Sequence, residues 1–284
     1  MKVLVTGITG QLGYDVMKEL ARRDIEAIGA SRREMPLDEP DTAASFIDRV
    51  QPGAVIHCAA YTAVDKAEDE PALCRKINGD ATGAIARAAA KNKAKLIYIS
   101  TDYVFDGEGD RFYETGDPKG PRNVYGASKL AGEEAVLAAG VNAFIVRISW
   151  VFGINGKNFI RTMLQLAKTH DSLTVVDDQV GSPTYTADLA RLLVDMVQTD
   201  RYGIYHATNE GVCSWAELAA EVFRQRGLGV KVTPVPSSAY PTKAVRPHNS
   251  RLSKASLTAN GFTPLPPWQD AVRRYLGELA EKGE

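Results

Sequence analysis

The sequence predicts an α/β protein built on a doubly wound parallel sheet, with a smaller C-terminal α/β lobe. Short β-rich runs alternate with helical patterns, and segments long enough for crossover helices separate the runs, which are Val3–Thr6, Glu26–Ser31, Ala54–Cys58, Lys95–Ser100 and Ala143–Ile148. Such alternation is typical of parallel strands that helices cover on both faces. A chain of 284 residues is long enough for one such domain and an appended lobe.

The alternation loosens after Trp150, which indicates the start of the smaller lobe. The later patterns predict one strand, Gly203–Ala207, and helices at Phe159–Ala167, Asp188–Val197, Ser214–Arg224 and Trp268–Leu279. Ser214 and Glu217 have the spacing of a capping box, which opens a helix. The proline-rich stretches Pro234–Pro247 and Pro264–Pro267 are interpreted as loops near the substrate lobe.

The composition gives no support to several classes of function. Basic and acidic residues number 34 and 35, so no charge surplus argues for a nucleic-acid partner. The 3 cysteines lack paired C-x-x-C spacing and the 4 histidines are dispersed, which indicates reduced thiols and no metal centre. We expect a cytoplasmic protein without a membrane partner, because the sequence contains no signal-like start and no bilayer-length apolar run.

A glycine-rich turn follows the first strand and leads into a helical pattern that begins with Leu12. Its spacing, G-x-x-G-x-x-G, is a variant of the G-x-G-x-x-G dinucleotide fingerprint. Gly7 allows the tight turn, Gly10 lets the backbone approach a pyrophosphate, and Gly13 lets helix and strand pack closely. Strand, turn and helix together predict a Rossmann-like dinucleotide site.

Tyr125 and Lys129 stand one helical turn apart, about one βα unit after a strand that ends in Ser100-Thr101-Asp102. A tyrosine hydroxyl titrates at about pH 10 in water, and a neighbouring cation stabilises the phenolate. The sequence therefore predicts that Lys129 lowers the pKa of Tyr125 and makes it a proton donor near neutral pH. The spacing alone is weak evidence, because it also fits an amphipathic helix that carries a surface lysine.

These two motifs resemble the extended short-chain dehydrogenase/reductase superfamily, in the branch that acts on nucleotide sugars. Longer stretches are similar to the dTDP-4-dehydrorhamnose reductase family, namely Val55–Glu68, Ser100–Gly107, Arg147–Gly153, Gly181–Ala190, Gly203–Asn209 and Arg246–Leu252. The resemblance runs nearly from end to end. It implies an NADP-binding Rossmann domain at 1–149 plus roughly 184–207, and a nucleotide-sugar-binding lobe at roughly 150–183 and 208–284.

The resemblance also implies roles for individual residues. The residues expected to line the cofactor are Gly10, Gln11 and Leu12 at the pyrophosphate, Asp38 and Glu39 at the adenine, and Ala59, Ala60 and Thr62 on the nicotinamide side. Those assigned to catalysis are Thr101, Tyr125 and Lys129, the last two also contacting the cofactor. Those facing the substrate are Val64, Thr101, Asp102, Trp150 and Arg246. His57 is expected to pack or bond the backbone, and Asn78 either orders a relay water or bonds the backbone.

The second strand ends in Ser31-Arg32-Arg33, at the place where enzymes that prefer NAD usually carry an acid for the adenosine ribose. Guanidinium groups pair with a 2′-phosphate, which an acid there would repel. The sequence therefore favours NADPH, with Ser31 and Arg32 as cofactor-binding residues. NADH stays open because of Glu34, and because Arg32 and Arg33 also fit a solvated turn.

The activity that the resemblance implies is NADPH-dependent reduction of the C4 ketone of dTDP-4-dehydro-L-rhamnose to dTDP-L-rhamnose. A dehydratase is disfavoured, because that branch typically carries an Asp-Glu pair where this chain has Asp102-Tyr103. Two alternatives stay open: a reductase of another deoxysugar nucleotide, and a non-catalytic regulatory subunit resembling that of S-adenosylmethionine synthetase. The sequence also leaves open whether the protein is a monomer or a homodimer, and whether it requires Mg²⁺.

Overall fold

The structure, a computed structural model, describes residues 1–283 and contains a six-stranded parallel sheet. The strands, numbered in chain order, are β1 Val3–Thr6, β2 Ala27–Ala30, β3 Ala54–His57, β4 Lys95–Thr101, β5 Ala143–Ile148, β6 Val151–Phe152, β7 Ser172–Val176, β8 Val180–Gly181, β9 Thr184–Tyr185, β10 Gly203–His206, β11 Asn209–Glu210, β12 Cys213–Ser214, β13 Lys231–Val235, β14 Asn249–Ser250 and β15 Leu265–Pro267. The strands predicted from the sequence are confirmed to within one residue at either end.

Helices cover both faces of the sheet and build much of the C-terminal part. They are α1 Gln11–Arg22, α2 Pro40–Val50, α3 Val64–Ala67, α4 Pro71–Arg75, α5 Ala81–Lys91, α6 Val124–Ala138, α7 Phe159–Leu166, α8 Thr186–Val197, α9 Trp215–Arg226, α10 Ala255–Ala259 and α11 Trp268–Glu281. The predicted capping box of Ser214 and Glu217 is confirmed at the start of α9. Within residues 1–283, no helix has the length and apolar character needed to cross a membrane.

The strand order in the sheet is β2-β1-β3-β4-β5-β10, so the order reverses between β1 and β3. In open parallel sheets, ligands bind outside the carboxyl ends of the strands at such a switch point. Gly7 and Ala59, which follow β1 and β3, meet there, since a Cβ on Gly7 would stand 2.8 Å from the Ala59 backbone. The predicted Rossmann-like, doubly wound fold is confirmed, and its crevice opens beside the glycine-rich turn.

The side chains of β1 alternate between two cores, because successive residues of a strand point to opposite faces. Val5 packs on the side of α1 and α8, in a core that includes Leu193. Leu4 packs on the side of α2 and α5, with Phe46 and Ile85. Burial of each such side chain contributes about 1.5–3 kcal/mol, so both helical layers are held firmly to the sheet that carries the crevice.

A third core lies in the C-terminal part, with Phe152, Tyr185, Phe223, Trp268 and Tyr275 among its buried members. Helices α9 and α11 pack together in this core, and α7 packs on α9. Between α7 and α9 along the chain, however, α8 packs on α1, and β10 pairs with β5 in the six-stranded sheet. The chain therefore passes from one core to the other and back, and the boundaries of the two domains stay a prediction.

Two stretches predicted to be loops contain strand residues. Pro234 lies in β13, which pairs with β7, and Leu265–Pro267 forms β15, which pairs with β11. Both pairs are two-stranded, so each proline sits on an edge strand, where its missing N–H can be tolerated. The loop prediction was wrong here because proline excludes a residue from a central strand but not from an edge.

Candidate active site

A cavity of about 640 Å³ opens at the carboxyl ends of the central strands. Of the residues predicted for the site, Glu39 and Arg246 lie outside its lining. The others all line it, namely Gly7, Gly10, Gln11, Leu12, Gly13, Ser31, Arg32, Asp38, Ala59, Ala60, Thr62, Val64, Thr101, Asp102, Tyr125, Lys129 and Trp150. The fold therefore gathers residues from distant parts of the sequence around one space.

The glycine-rich turn delivers the start of α1 to this cavity. The turn is closed by the Gly10 N–H, which donates to the Gly7 carbonyl at 2.9 Å. Gly10 is the N-cap of α1, where no side chain caps the helix and the first turn carries no acidic residue. The N–H groups at the helix start, with the positive end of the helix dipole, thus suit an anion, and a dinucleotide pyrophosphate fits here.

Gly13 is the position at which helix α1 comes closest to the turn. A Cβ there would stand 2.3 Å from the Gly7 carbonyl oxygen, which is backbone and has little freedom to move. We expect Gly13→Ala to weaken NADPH binding about tenfold or more, the equivalent of the 1–3 kcal/mol that overpacking typically costs. A fluorescence titration with NADPH measures the change.

Gly277→Ala is the matched control, because no neighbouring atom stands within 4 Å of a Cβ at that helical position in α11. It should leave NADPH binding unchanged and stabilise the protein by about 0.5–1 kcal/mol. Normal NADPH binding by folded Gly13→Ala protein would contradict the assignment of the turn to the cofactor.

Helix α6 carries Tyr125 and Lys129 into the cavity. Its start is fixed by Asn123, whose side chain accepts a hydrogen bond from the Gly126 N–H at 2.7 Å. The helix lies so close to the turn after β4 that a Cβ on Gly126 would stand 2.2 Å from the Tyr103 carbonyl oxygen. The bare Gly126 therefore allows Tyr125 to approach the end of β4, where Thr101 lies.

Burial, and not the lysine, dominates the electrostatics of the pair. It raises the pKa of Tyr125, while a hydrogen bond with Thr101 acts in the opposite direction. Burial also lowers the pKa of Lys129 to about 7, although the Glu133 carboxylate counteracts it. Burial therefore raises the pKa of Tyr125, where the sequence predicted a lowered one, and a lowering contribution from Lys129 stays a prediction.

Asp102 is buried beside Thr101 and holds its hydroxyl group. Asp102 Oδ1 accepts from Thr101 Oγ1 at 2.9 Å, and Oδ2 accepts from Ser250 Oγ at 2.5 Å. Burial raises the pKa of Asp102 to about 6, although these hydrogen bonds lower it. Asp102 thus orients Thr101 with a carboxyl group that titrates close to neutral pH, and Ser250 in β14 links this pair to the C-terminal part of the chain.

His57 and Asn78 support the cavity from behind. His57 bonds Thr6 Oγ1 at 2.8 Å, and burial lowers its pKa to about 3, so its ring stays neutral, as a packing residue should. Asn78, in the π-helical turn Lys76–Asp80, accepts from the Tyr61 N–H at 2.8 Å and donates to the Tyr61 carbonyl at 3.0 Å. Asn78 thus bonds the backbone, as one of its two predicted roles requires, and the relay-water role stays a prediction.

Arg246 and Glu39 lie outside the cavity lining and bond to other side chains of the protein. Arg246 donates to Asp65 Oδ2 at 2.6 Å and to Tyr103 Oη at 3.1 Å. Glu39 precedes α2 and accepts from Thr42 Oγ1 at 3.0 Å. Since Tyr103 does line the cavity, Arg246 contacts the cavity wall rather than forming it.

Several lining residues were not predicted, including Met35, Leu37, Cys58, Tyr61, Ile77, Tyr103 and Ser149. Cys58 and Ser149 directly follow β3 and β5, so their position at strand ends could have identified them. Burial raises the pKa of Cys58 to about 12, which keeps the thiol protonated, and all three cysteines are free. Among residues 1–283, no group of three or more His, Cys, Asp or Glu side chains is arranged to hold a metal ion.

A helix start suited to a dinucleotide and a tyrosine–lysine pair that line one crevice are typical of an NAD(P)-dependent oxidoreductase. The chain belongs to the family described as RmlD substrate binding domain, whose model matches residues 1–281. The family inferred from the sequence is confirmed.

Several relatives are similar to this chain over nearly its whole length. It is 40% identical over 293 residues to the dTDP-4-dehydrorhamnose reductase of Escherichia coli (strain K12), with 98% of each chain covered. It is 39% identical over 277 residues to the spore coat polysaccharide biosynthesis protein SpsK of Bacillus subtilis (strain 168), covering 98% of this chain and 97% of SpsK. The crystal structure of dTDP-4-dehydrorhamnose reductase from Bacillus anthracis str. Ames in complex with NADP matches with a TM-score of 0.95 at 38% identity, covering 98% of this chain and 99% of that one.

Proposed function

We propose that the protein uses NADPH to reduce the C4 ketone of dTDP-4-dehydro-L-rhamnose to dTDP-L-rhamnose. The observation that carries this proposal is that Thr101, Tyr125 and Lys129 line one cavity with the glycine-rich turn. The substrate follows from the family, since the E. coli relative, matched along 98% of its chain, is a dTDP-4-dehydrorhamnose reductase.

Two side chains, Tyr125 and Thr101, act on the C4 carbonyl oxygen of the sugar. Tyr125 donates its proton to that oxygen as negative charge develops, and Thr101 donates a hydrogen bond to it. Asp102 holds the Thr101 hydroxyl at 2.9 Å until the substrate oxygen replaces Asp102 as acceptor. Lys129 lines the same cavity, where it would hold the nicotinamide ribose and would support the phenolate left on Tyr125. Bound NADPH supplies the hydride.

Residues at the end of β2 fit the 2′-phosphate of NADPH. Ser31 and Arg32 line the cavity there. The Arg32 side chain is 80% exposed and pairs with Asp38 at 3.3 Å. An exposed pair of this kind is weak, so a phosphate dianion can displace Asp38 from the guanidinium group. The NADP complex of the B. anthracis relative supports the same cofactor.

Glu34 is expected to limit the preference for NADPH. Its carboxylate accepts hydrogen bonds from the Ser31 N–H at 2.9 Å and from the Ser31 hydroxyl, and so places negative charge beside the 2′-phosphate position. Glu34→Gln should lower the Kd for NADPH about two- to fivefold, the size typical of one exposed charge interaction, and should not lower the Kd for NADH. Fluorescence titrations with both cofactors measure this.

Glu26→Gln is the control for that variant, since Glu26 is exposed at the opposite end of the same strand. It should change neither Kd. An equal gain for NADH and NADPH in Glu34→Gln would show that Glu34 does not sense the 2′-phosphate.

Two other functions use the same scaffold. A reductase of another deoxysugar nucleotide would keep Thr101, Tyr125 and Lys129 and differ in the contacts to the sugar. A purely regulatory subunit would need the fold but no proton donor, and the three residues assembled in one cavity argue against it. The cytoplasmic location, the choice between monomer and homodimer, and any need for Mg²⁺ stay predictions or open questions from the sequence.

The experiment follows NADPH oxidation by absorbance after addition of dTDP-4-dehydro-6-deoxyglucose and the 3,5-epimerase that supplies the rhamnose-configured ketone. Oxidation that requires both, with dTDP-L-rhamnose as the product, is the expected result. Oxidation only with a different sugar nucleotide would favour the first alternative. Cofactor binding without oxidation of NADPH or NADH by any of these sugars would favour the regulatory alternative.

A further inference from the structure

Trp150 lines the cavity with its backbone in the left-handed region, at a φ of +49°. A bulky L-residue rarely adopts this conformation, and such outliers concentrate at functional sites where the surrounding structure fixes them. The Trp150 carbonyl accepts from the Thr184 N–H at 3.1 Å, which anchors the backbone. The Trp150 indole ring can hold one position only if contacts also fix the side chain.

Trp215 supplies that contact by stacking on the Trp150 ring. The two ring centroids are 3.8 Å apart and the planes differ by 14°. Phe159 packs on Trp215 in turn, with centroids 4.7 Å apart. Gly181 leaves room for the Trp150 ring, since a Cβ at Gly181 would stand 3.1 Å from its Cε2 atom. The ring therefore has a partner against one face and a close backbone neighbour.

Trp215 is itself fixed by contacts that do not involve the cavity. It is the first residue of α9, directly after the capping-box residue Ser214. Its indole Nε1–H donates to Gln179 Oε1 at 3.2 Å. Trp215 does not line the cavity, whereas Trp150 does, so the stack on Trp150 connects Trp215 to a ligand in the cavity.

We propose that Trp215 is a positioning residue, which holds the Trp150 ring so that it forms the wall against which the substrate sugar lies. This inference rests on the proposed function. A rigid aromatic wall contributes to binding in the ground state and the transition state alike, so its loss raises KM and leaves kcat nearly unchanged. The stack links the strand β5, which Trp150 follows, to helix α9 of the C-terminal part.

The test compares Trp215→Leu, which removes the stack, with Trp215→Phe, which keeps an aromatic face. We expect Trp215→Leu to raise the KM for the sugar nucleotide about three- to tenfold, the size of an aromatic stacking contribution, with kcat and the Kd for NADPH unchanged. Trp215→Phe should have a KM close to that of the wild type, because it keeps an aromatic ring against Trp150. Two indoles stacked this closely also couple their transitions, so the far-ultraviolet circular dichroism of the wild type should show a tryptophan exciton couplet.

The control is Trp268→Phe, which removes the remaining tryptophan of the chain and should leave the couplet in place. Loss of the couplet in Trp215→Leu with an unchanged KM would overturn the positioning role. A wild-type spectrum without the couplet would overturn the stack itself. If the wild type does not turn over the sugar nucleotide, the proposed function fails, and with it the role of the stack in binding that sugar, while the couplet still decides whether Trp215 holds Trp150.

Discussion

Tyr125→Phe is expected to lower kcat about 10²- to 10⁴-fold, because a positioned general acid contributes an acceleration of that size. The substitution removes one hydroxyl group from a cavity wall, and burial keeps that hydroxyl protonated until the substrate takes its proton. The Kd for NADPH should change little, because the aromatic ring and Lys129 remain. Steady-state kinetics and a cofactor titration on the same preparation measure both quantities.

Tyr103→Phe is a matched control, because Tyr103 also lines the cavity and its ring centroid lies 5.4 Å from that of Tyr125. Its hydroxyl accepts a hydrogen bond from Arg246 and has no role in proton transfer here. We expect this variant to keep kcat within about tenfold of the wild type, below the range for a lost general acid. Similar losses in both variants would mean that Tyr125 acts through packing and not as the proton donor.

Arg147→Met is expected to cause the largest loss of stability of any variant considered, about 3–5 kcal/mol in the free energy of unfolding. Its side chain is fully buried and pairs in bidentate fashion with Glu133, whose side chain is 3% exposed, at 2.8 and 2.6 Å. Removing the guanidinium group would leave a buried carboxylate with its hydrogen bond from Ser100 but without its cation. Urea denaturation followed by circular dichroism measures the change.

Two further variants show whether the loss of stability comes from the buried charge or from the ion pair itself. Arg224→Met breaks an equally bidentate pair with Glu221, at 2.7 Å for both bonds, but the Arg224 side chain is 71% exposed, so the unfolding midpoint should not move measurably. The double variant Arg147→Met with Glu133→Leu should recover part of the loss, because apolar side chains can replace a buried pair. If the double variant is the least stable of all, the uncompensated charge does not explain the loss.

The central sheet could be predicted because each strand is a short apolar run between helical patterns, a local signal that the structure preserves. The prolines of β13 and β15 led to a wrong prediction of loops. Proline is tolerated in an edge strand, and whether a strand lies at an edge depends on the assembled sheet, which the local sequence pattern does not reveal. The site could be located for a related reason. The glycine-rich turn, Thr101 and Tyr125 lie at strand or helix ends whose place in a parallel sheet is fixed by the fold.

Contacts between distant segments could not be predicted in the same way. Ser250 reaches Asp102 and Trp215 reaches Trp150 only after the C-terminal part has packed on the sheet. The pKa of Lys129 also depends on burial, which the spacing from Tyr125 does not reveal. Sequence spacing therefore predicted the groups that we propose to react, whereas the groups that hold them and shift their pKa values became visible only in three dimensions.

The most direct test of the proposed activity is transfer of deuterium from NADPH labelled at nicotinamide C4 into the sugar product. If the protein reduces the C4 ketone, dTDP-L-rhamnose formed with the correctly labelled stereoisomer carries deuterium at C4 of the sugar, which nuclear magnetic resonance detects, and the opposite stereoisomer gives unlabelled product. Product that lacks deuterium with both stereoisomers, or that carries it at another carbon, would contradict direct hydride delivery to this ketone.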